Sequence, residues 1–248
     1  MSSAVNRRRL ELLVGSVVGL CAFALPVAAR PAGMSGLVTT RDGSPIGGVL
    51  VITSGMGFKG WAESGADGSF QLPAAGAFVS FRHEGYQPWL VRSSDLTDPI
   101  RIQLDPADET VWKLESCSSV RRDGNWIGGG LRINAASGYQ GPIYGEHDAH
   151  WYIRRGKDVL HLVDGIHWHA GLPGSLAQSD SFSFRGWEYR GIVGLDVAGQ
   201  DSEGKYWRWV GSPVANAIEY ETNDREVADY FDSVIETACF GSAQTIPD

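Results

Sequence analysis

The chain has 248 residues, 43% of them apolar and 20% charged. That balance excludes a mainly disordered polymer and allows a hydrophobic core in one or two domains. A formal net charge of −8 repels a phosphate backbone and argues against general nucleic-acid binding. Thirty-two glycines, with nine Trp, eight Tyr and nine Phe, point to β-structure with many tight turns.

Arg7, Arg8 and Arg9 precede a mostly apolar stretch over 10–25, and Val27, Ala28 and Ala29 supply small residues at its end. Residues 1–29 therefore read as a signal peptide cleaved after Ala29. The apolar stretch is shorter than the roughly 20 residues that span a bilayer, so a retained anchor is the weaker alternative. The arginines before Leu10 also resemble a twin-arginine signal, although Glu11 interrupts the apolar run. The chain is expected to be exported to the periplasm or extracellular space, with no transmembrane segment after cleavage. The remainder carries 18 basic and 28 acidic residues and two cysteines, Cys117 and Cys239. In an exported chain these two are expected to form a disulfide. Closing a loop of about 120 residues would stabilise by about 4–5 kcal/mol in the chain-entropy model. Two buried thiols are the alternative.

Residues 34–105 form the first domain by pattern. Short apolar runs at 34–40, 48–53, 58–63, 69–72, 77–82, 89–92 and 100–104 alternate with turn residues. In the last of them Ile100, Ile102 and Leu104 alternate with Arg101 and Gln103, as in a half-buried strand. Seven such strands at this spacing predict an antiparallel β-sandwich. Three motifs in order, GLVTTRDGSPIGGV at 36–49, ADGSFQL at 66–72 and FRHEGY at 81–86, resemble the carboxypeptidase regulatory-like domain. The resemblance implies a transthyretin-like seven-stranded sandwich with a carbohydrate-binding-like fold, which serves as an appendage and is not itself catalytic. The zinc peptidase that such a module accompanies would bring an H-x-x-E ligand pair. None of His83, His147, His150, His161, His167 or His169 has a Glu three residues on.

Pro106, Ala107 and Asp108 read as a short joint to a second, β-rich α+β domain over 109–241, followed by a tail at 242–248. Its first strand candidate, 110–120, carries Trp112, Leu114 and Cys117. Gly128, Gly129 and Gly130 lack the residues that would make a phosphate cradle and read as a bulge or turn. Strands are expected at 151–154 and 159–163 around a turn at 155–158. Trp187, Tyr189, Val193, Leu195 and Val197 keep a two-residue period, and 206–210 returns after a turn at 201–204. The domain ends in its one helix, capped by Asn223 with Glu226 completing a capping box. Its apolar stripe is Val227, Tyr230, Phe231, Val234, Ile235 and Ala238, with Cys239 in the last turn and Gly241 as the stop.

Two groups of residues carry the functional expectations. His147 and His150 have metal-like spacing, and His167 and His169 would share one strand face. With Glu146 or Asp164 they suggest an open zinc-like site for a metal-dependent hydrolase; the bland alternative is turn-capping or solvated imidazoles. The second group is aromatic. Trp207 and Trp209 share one strand face, opposite Tyr206, Arg208 and Val210, and Trp187 lies on a neighbouring strand. Trp187, Trp207 and Trp209 with Arg208 are the candidate ligand face, although such rings more often fill the core. The favoured expectation is an exported, non-enzymatic binding or accessory protein of the cell envelope. It would hold a glycan or a peptide, or an envelope protein, and no cofactor is expected. A structural envelope component is the third reading.

Overall fold

The computed structural model describes residues 33–240 apart from 56, 98, 115–124, 127–130, 134–138, 145–147, 166–173, 180, 190–191 and 212–215. The architecture is mainly β. The first seven strands are β1 (Met34–Thr39), β2 (Leu50–Gly55), β3 (Gly57–Glu63), β4 (Ser69–Leu72), β5 (Phe78–Arg82), β6 (Trp89–Arg92) and β7 (Ile100–Gln103). They form a three-stranded sheet, β4-β1-β7, and a four-stranded sheet, β3-β2-β5-β6. Local chemistry sets the turns. Asp67 Oδ1 accepts from the Ser69 N–H and hydroxyl at 3.0 and 2.7 Å. Gly68 then takes φ 76°, with the Val38 carbonyl where a Cβ would sit. One pairing departs from the antiparallel expectation, because β1 and β7 run parallel. That pairing closes the three-stranded sheet between strands far apart in sequence. Val38, Phe70, Ile100 and Ile102 from this sheet pack with Val51, Val79 and Phe81 from the other in one buried cluster.

The rest of the chain builds β8 (Trp112–Lys113), β9 (Asn125–Trp126), β10 (Leu131–Ile133), β11 (Tyr139–Tyr144), β12 (Asp148–Arg155) and β13 (Asp158–Gly165). There follow α1 (Gly174–Gln178), β14 (Ser181–Tyr189), β15 (Ile192–Gln200), β16 (Tyr206–Gly211), β17 (Asn216–Thr222), α2 (Arg225–Ile235) and β18 (Cys239–Phe240). An eight-stranded sheet has the order β11-β12-β13-β17-β16-β15-β14-β8, and β18-β10-β9 make a small third sheet. The expected single strand through Trp187 and Val197 is instead two strands of a hairpin, with Tyr189 opposite Ile192. The turn after β15 is as expected, with Asp201 Oδ1 accepting from the N–H groups of Glu203 and Lys205.

Helix α2 buries Val227, Ala228, Phe231, Val234 and Ile235 against the sheet. Its cap is Asp224 and not Asn223, because the Asp224 carboxylate accepts from the N–H groups of Glu226 and Val227 at 2.9 and 3.3 Å. The helix ends at Ile235, and Cys239 lies in β18 opposite Arg132. Cys117 and the tail at 242–248 lie outside the described residues.

The joint at 106–108 is tied down. The Gln87 N–H donates to the Asp105 carbonyl, the Ala107 N–H to the Gly85 carbonyl, and Gln87 Nε2 to Asp108 Oδ2 at 2.7 Å. Residues 31–248 group as one compact unit. The reason is a shared core, in which Phe78 and Leu90 of the four-stranded sheet pack with Val163, Leu195, Val197, Trp207 and Trp209 of the eight-stranded sheet. At one point of this contact a Cβ on Gly186 would lie 2.5 Å from the Pro88 ring. The eight-stranded sheet is thus covered on one face by α2 and on the other by the four-stranded sheet.

Candidate functional site

The expected aromatic ligand face is a core. Strand alternation does place Trp207 and Trp209 on one side of β16 and Arg208 and Val210 on the other. Because this sheet is the middle layer, both sides are covered. Trp207 and Trp209 are each 1% exposed, and Trp207 Nε1 donates to Ser179 Oγ at 2.7 Å. Trp187 is buried on the α2 side. Its indole lies so close over Gly194 that an added Cβ would sit 2.0 Å from the ring. None of the three rings offers a flat face to a ligand.

Arg208, the fourth residue of that set, fastens α2 to the sheet. It is 7% exposed and grips Asp196 with two bonds, Nε to Oδ1 at 2.8 Å and Nη2 to Oδ2 at 2.7 Å. It also donates to Asp232 on α2 and to Glu236 at its C-cap, at 3.2 and 2.6 Å. Burial alone would lower the Arg208 pKa, but the hydrogen bonds and charge of Asp196, with Glu236 and Asp232, hold it above the ordinary arginine value. Arg185 adds bonds to Asp196 and Glu236, both at 2.7 Å, and its guanidinium lies 4.4 Å above the Trp112 ring. Burial and the adjacent Asp232 carboxylate, which accepts the Tyr220 hydroxyl at 2.8 Å, raise the Tyr220 phenol well above its usual pKa. A cavity of about 290 Å³ opens beside this network, but its charges are already spent on one another.

Of the four candidate metal ligands, His150 is described; His147, His167 and His169 lie outside the described residues. His150 Nδ1 is 2.9 Å from His161 Nε2, and His161 Nδ1 is 3.1 Å from Glu219 Oε1. The cross-strand register explains the meeting. His161 lies opposite Tyr152 and Glu219, while His150 is two residues before Tyr152 on the same face. The rings of His150, His161 and Tyr152 stack within 11° of parallel. With neutral imidazoles the Glu219 carboxylate fixes the tautomers: His161 carries its hydrogen on Nδ1, and its Nε2 accepts from His150 Nδ1–H. In this chain Glu219 orients His161, and His161 orients His150. Among the described residues no group of three or more His, Cys, Asp and Glu is placed to hold a metal ion.

A different place has the form of a binding site. Strands β6 and β7 are edge strands of their sheets, and a cleft of about 510 Å³ there is lined by Leu37, Thr39, Gly43, Trp89, Arg101, Ile102 and Gln103. Trp89 is 45% exposed and is oriented by an edge-to-face contact with Phe184, with centroids 6.4 Å apart. Around it stand an arginine, an amide and a hydroxyl. Sequence pattern misses Trp89, because Trp-Leu-Val-Arg reads as an ordinary strand and its exposure follows from the edge position. No protein family, curated protein or solved structure matches the chain.

Proposed function

We propose that this protein is an exported, non-enzymatic accessory protein of the cell envelope that binds a glycan in the cleft at Trp89. The supporting observation is the half-exposed indole in an open cleft with polar neighbours. An aromatic plane meets the apolar face of a sugar ring, while Thr39, Arg101 and Gln103 can hydrogen-bond its hydroxyls. The resemblance of 34–105 to the carboxypeptidase regulatory-like domain agrees with this reading, since that family is described as carbohydrate-binding-like in fold and non-catalytic.

Trp89→Ala is expected to weaken binding on a glycan array about tenfold or more, the loss of roughly 1.4 kcal/mol, with the melting temperature unchanged. Trp61→Ala, at an exposed indole on β3, serves as the control and should bind normally. Equal binding by wild type and Trp89→Ala would refute the assignment.

The histidine chain supports a second reading, a metal-dependent hydrolase in which His150 is a ligand backed by His161 and Glu219. Elemental analysis of the purified protein decides between them. The binding reading expects substoichiometric zinc that His150→Ala leaves unchanged. One zinc per chain, lost in His150→Ala, would make the hydrolase the better account.

A further inference from the structure

On β5, strand alternation puts Phe78, Ser80 and Arg82 on one side and Val79 and Phe81 on the other. The Phe78 side is closed against the eight-stranded sheet. Arg82 is 2% exposed, and its Nε, Nη1 and Nη2 have no hydrogen-bond partner among the described residues. Burial pushes the guanidinium down to about 9, and no neighbouring carboxylate counters that shift. Arg82 therefore remains a cation at neutral pH, as arginine does throughout proteins. The guanidinium only donates, and it offers five N–H bonds. The described buried side-chain atoms without partners include no carboxylate or amide oxygen.

An isolated buried cation is among the most costly features a fold can contain. A group that carries negative charge and only accepts hydrogen bonds offsets the charge and meets the guanidinium N–H groups at once. The planar guanidinium fork matches two oxygens of such a group. We propose that Arg82 anchors a buried site for a small oxyanion, of the carboxylate, sulfate or phosphate type, in the seam between the four-stranded and eight-stranded sheets. The ion is enclosed as the two sheets close, so it acts as a folding ligand.

Inorganic phosphate is the probe. Protein unfolded in urea, freed of anions and refolded in chloride buffer is titrated with phosphate at constant ionic strength. The melting temperature of the wild type is expected to rise by about 5–10 °C once phosphate is in roughly hundredfold excess over its dissociation constant. Arg82→Met is expected to melt higher than the wild type in chloride and to ignore phosphate. Native mass spectrometry of the phosphate-refolded wild type should show one added phosphate per chain, which reads the site even if Arg82→Met does not fold. An unchanged wild-type melting temperature with no adduct would overturn the proposal. So would an equal rise in Arg82→Met, which would reflect a general salt effect.

Discussion

Arg208→Met is expected to lose about 3–5 kcal/mol of stability, the range for breaking a buried ion pair from one side. Asp196 is 4% exposed, and the variant leaves its carboxylate in the sheet without the two-pronged bond from Arg208. Asp232 and Glu236 lose the anchor that draws α2 onto β16. Arg185 retains its bonds to Asp196 and Glu236, which keeps the loss within that range. Urea unfolding measures the effect through the midpoint and the slope. Adding Asp196→Leu to Arg208→Met should restore most of the stability, because the stranded carboxylate is then gone. A single variant within 1 kcal/mol of wild type would show that the network does not hold the helix.

Trp207→Ala comes second, with an expected loss of about 3–5 kcal/mol for removing a fully buried large ring. The variant empties a volume in the core cluster that also holds Phe78, Leu90 and Val197. It also strips the Ser179 hydroxyl of the indole donor. Ser179 is a meeting point, since its carbonyl accepts from Arg92 Nη2 and its hydroxyl donates to the Ser175 carbonyl at 2.8 Å. Loss of Trp207 should therefore loosen α1 as well. In thermal denaturation the midpoint should fall steeply, while glycan binding by the folded fraction at low temperature stays intact. Selective loss of binding in a fully stable Trp207→Ala protein would instead return Trp207 to the ligand face.

Much of the secondary structure was legible because it depends on neighbouring residues. The alternation of Ile100, Ile102 and Leu104 appears as burial of all three, and the Asp67–Gly68 turn follows from side-chain chemistry within three residues. The two sides of β16 were also legible. Which side would be buried was not, because alternation assumes one wet face and β16 lies in a middle layer. The parallel pairing of β1 with β7 was hidden for a related reason, as it joins strands more than sixty residues apart. Arg82 closes the 77–82 run, and nothing in that local pattern shows that it becomes buried. His161 was the more recoverable omission: the turn at 155–158 fixes the β12–β13 register, and that register sets His161 diagonally across from His150. The cap shifted by one residue because Asn223 and Asp224 are both good caps, and only the backbone decides between them.

The embedding of Phe78 and Leu90 among the tryptophans of the large sheet bears on how this architecture can be dismantled. A module that travels as a detachable cassette keeps a wettable exterior all round. Here, cutting at 106–108 would strip the cover from one broad greasy side of the larger half and leave a matching bare side on the smaller. Fragments severed at that point would seek each other, or precipitate, before they behaved as independent proteins.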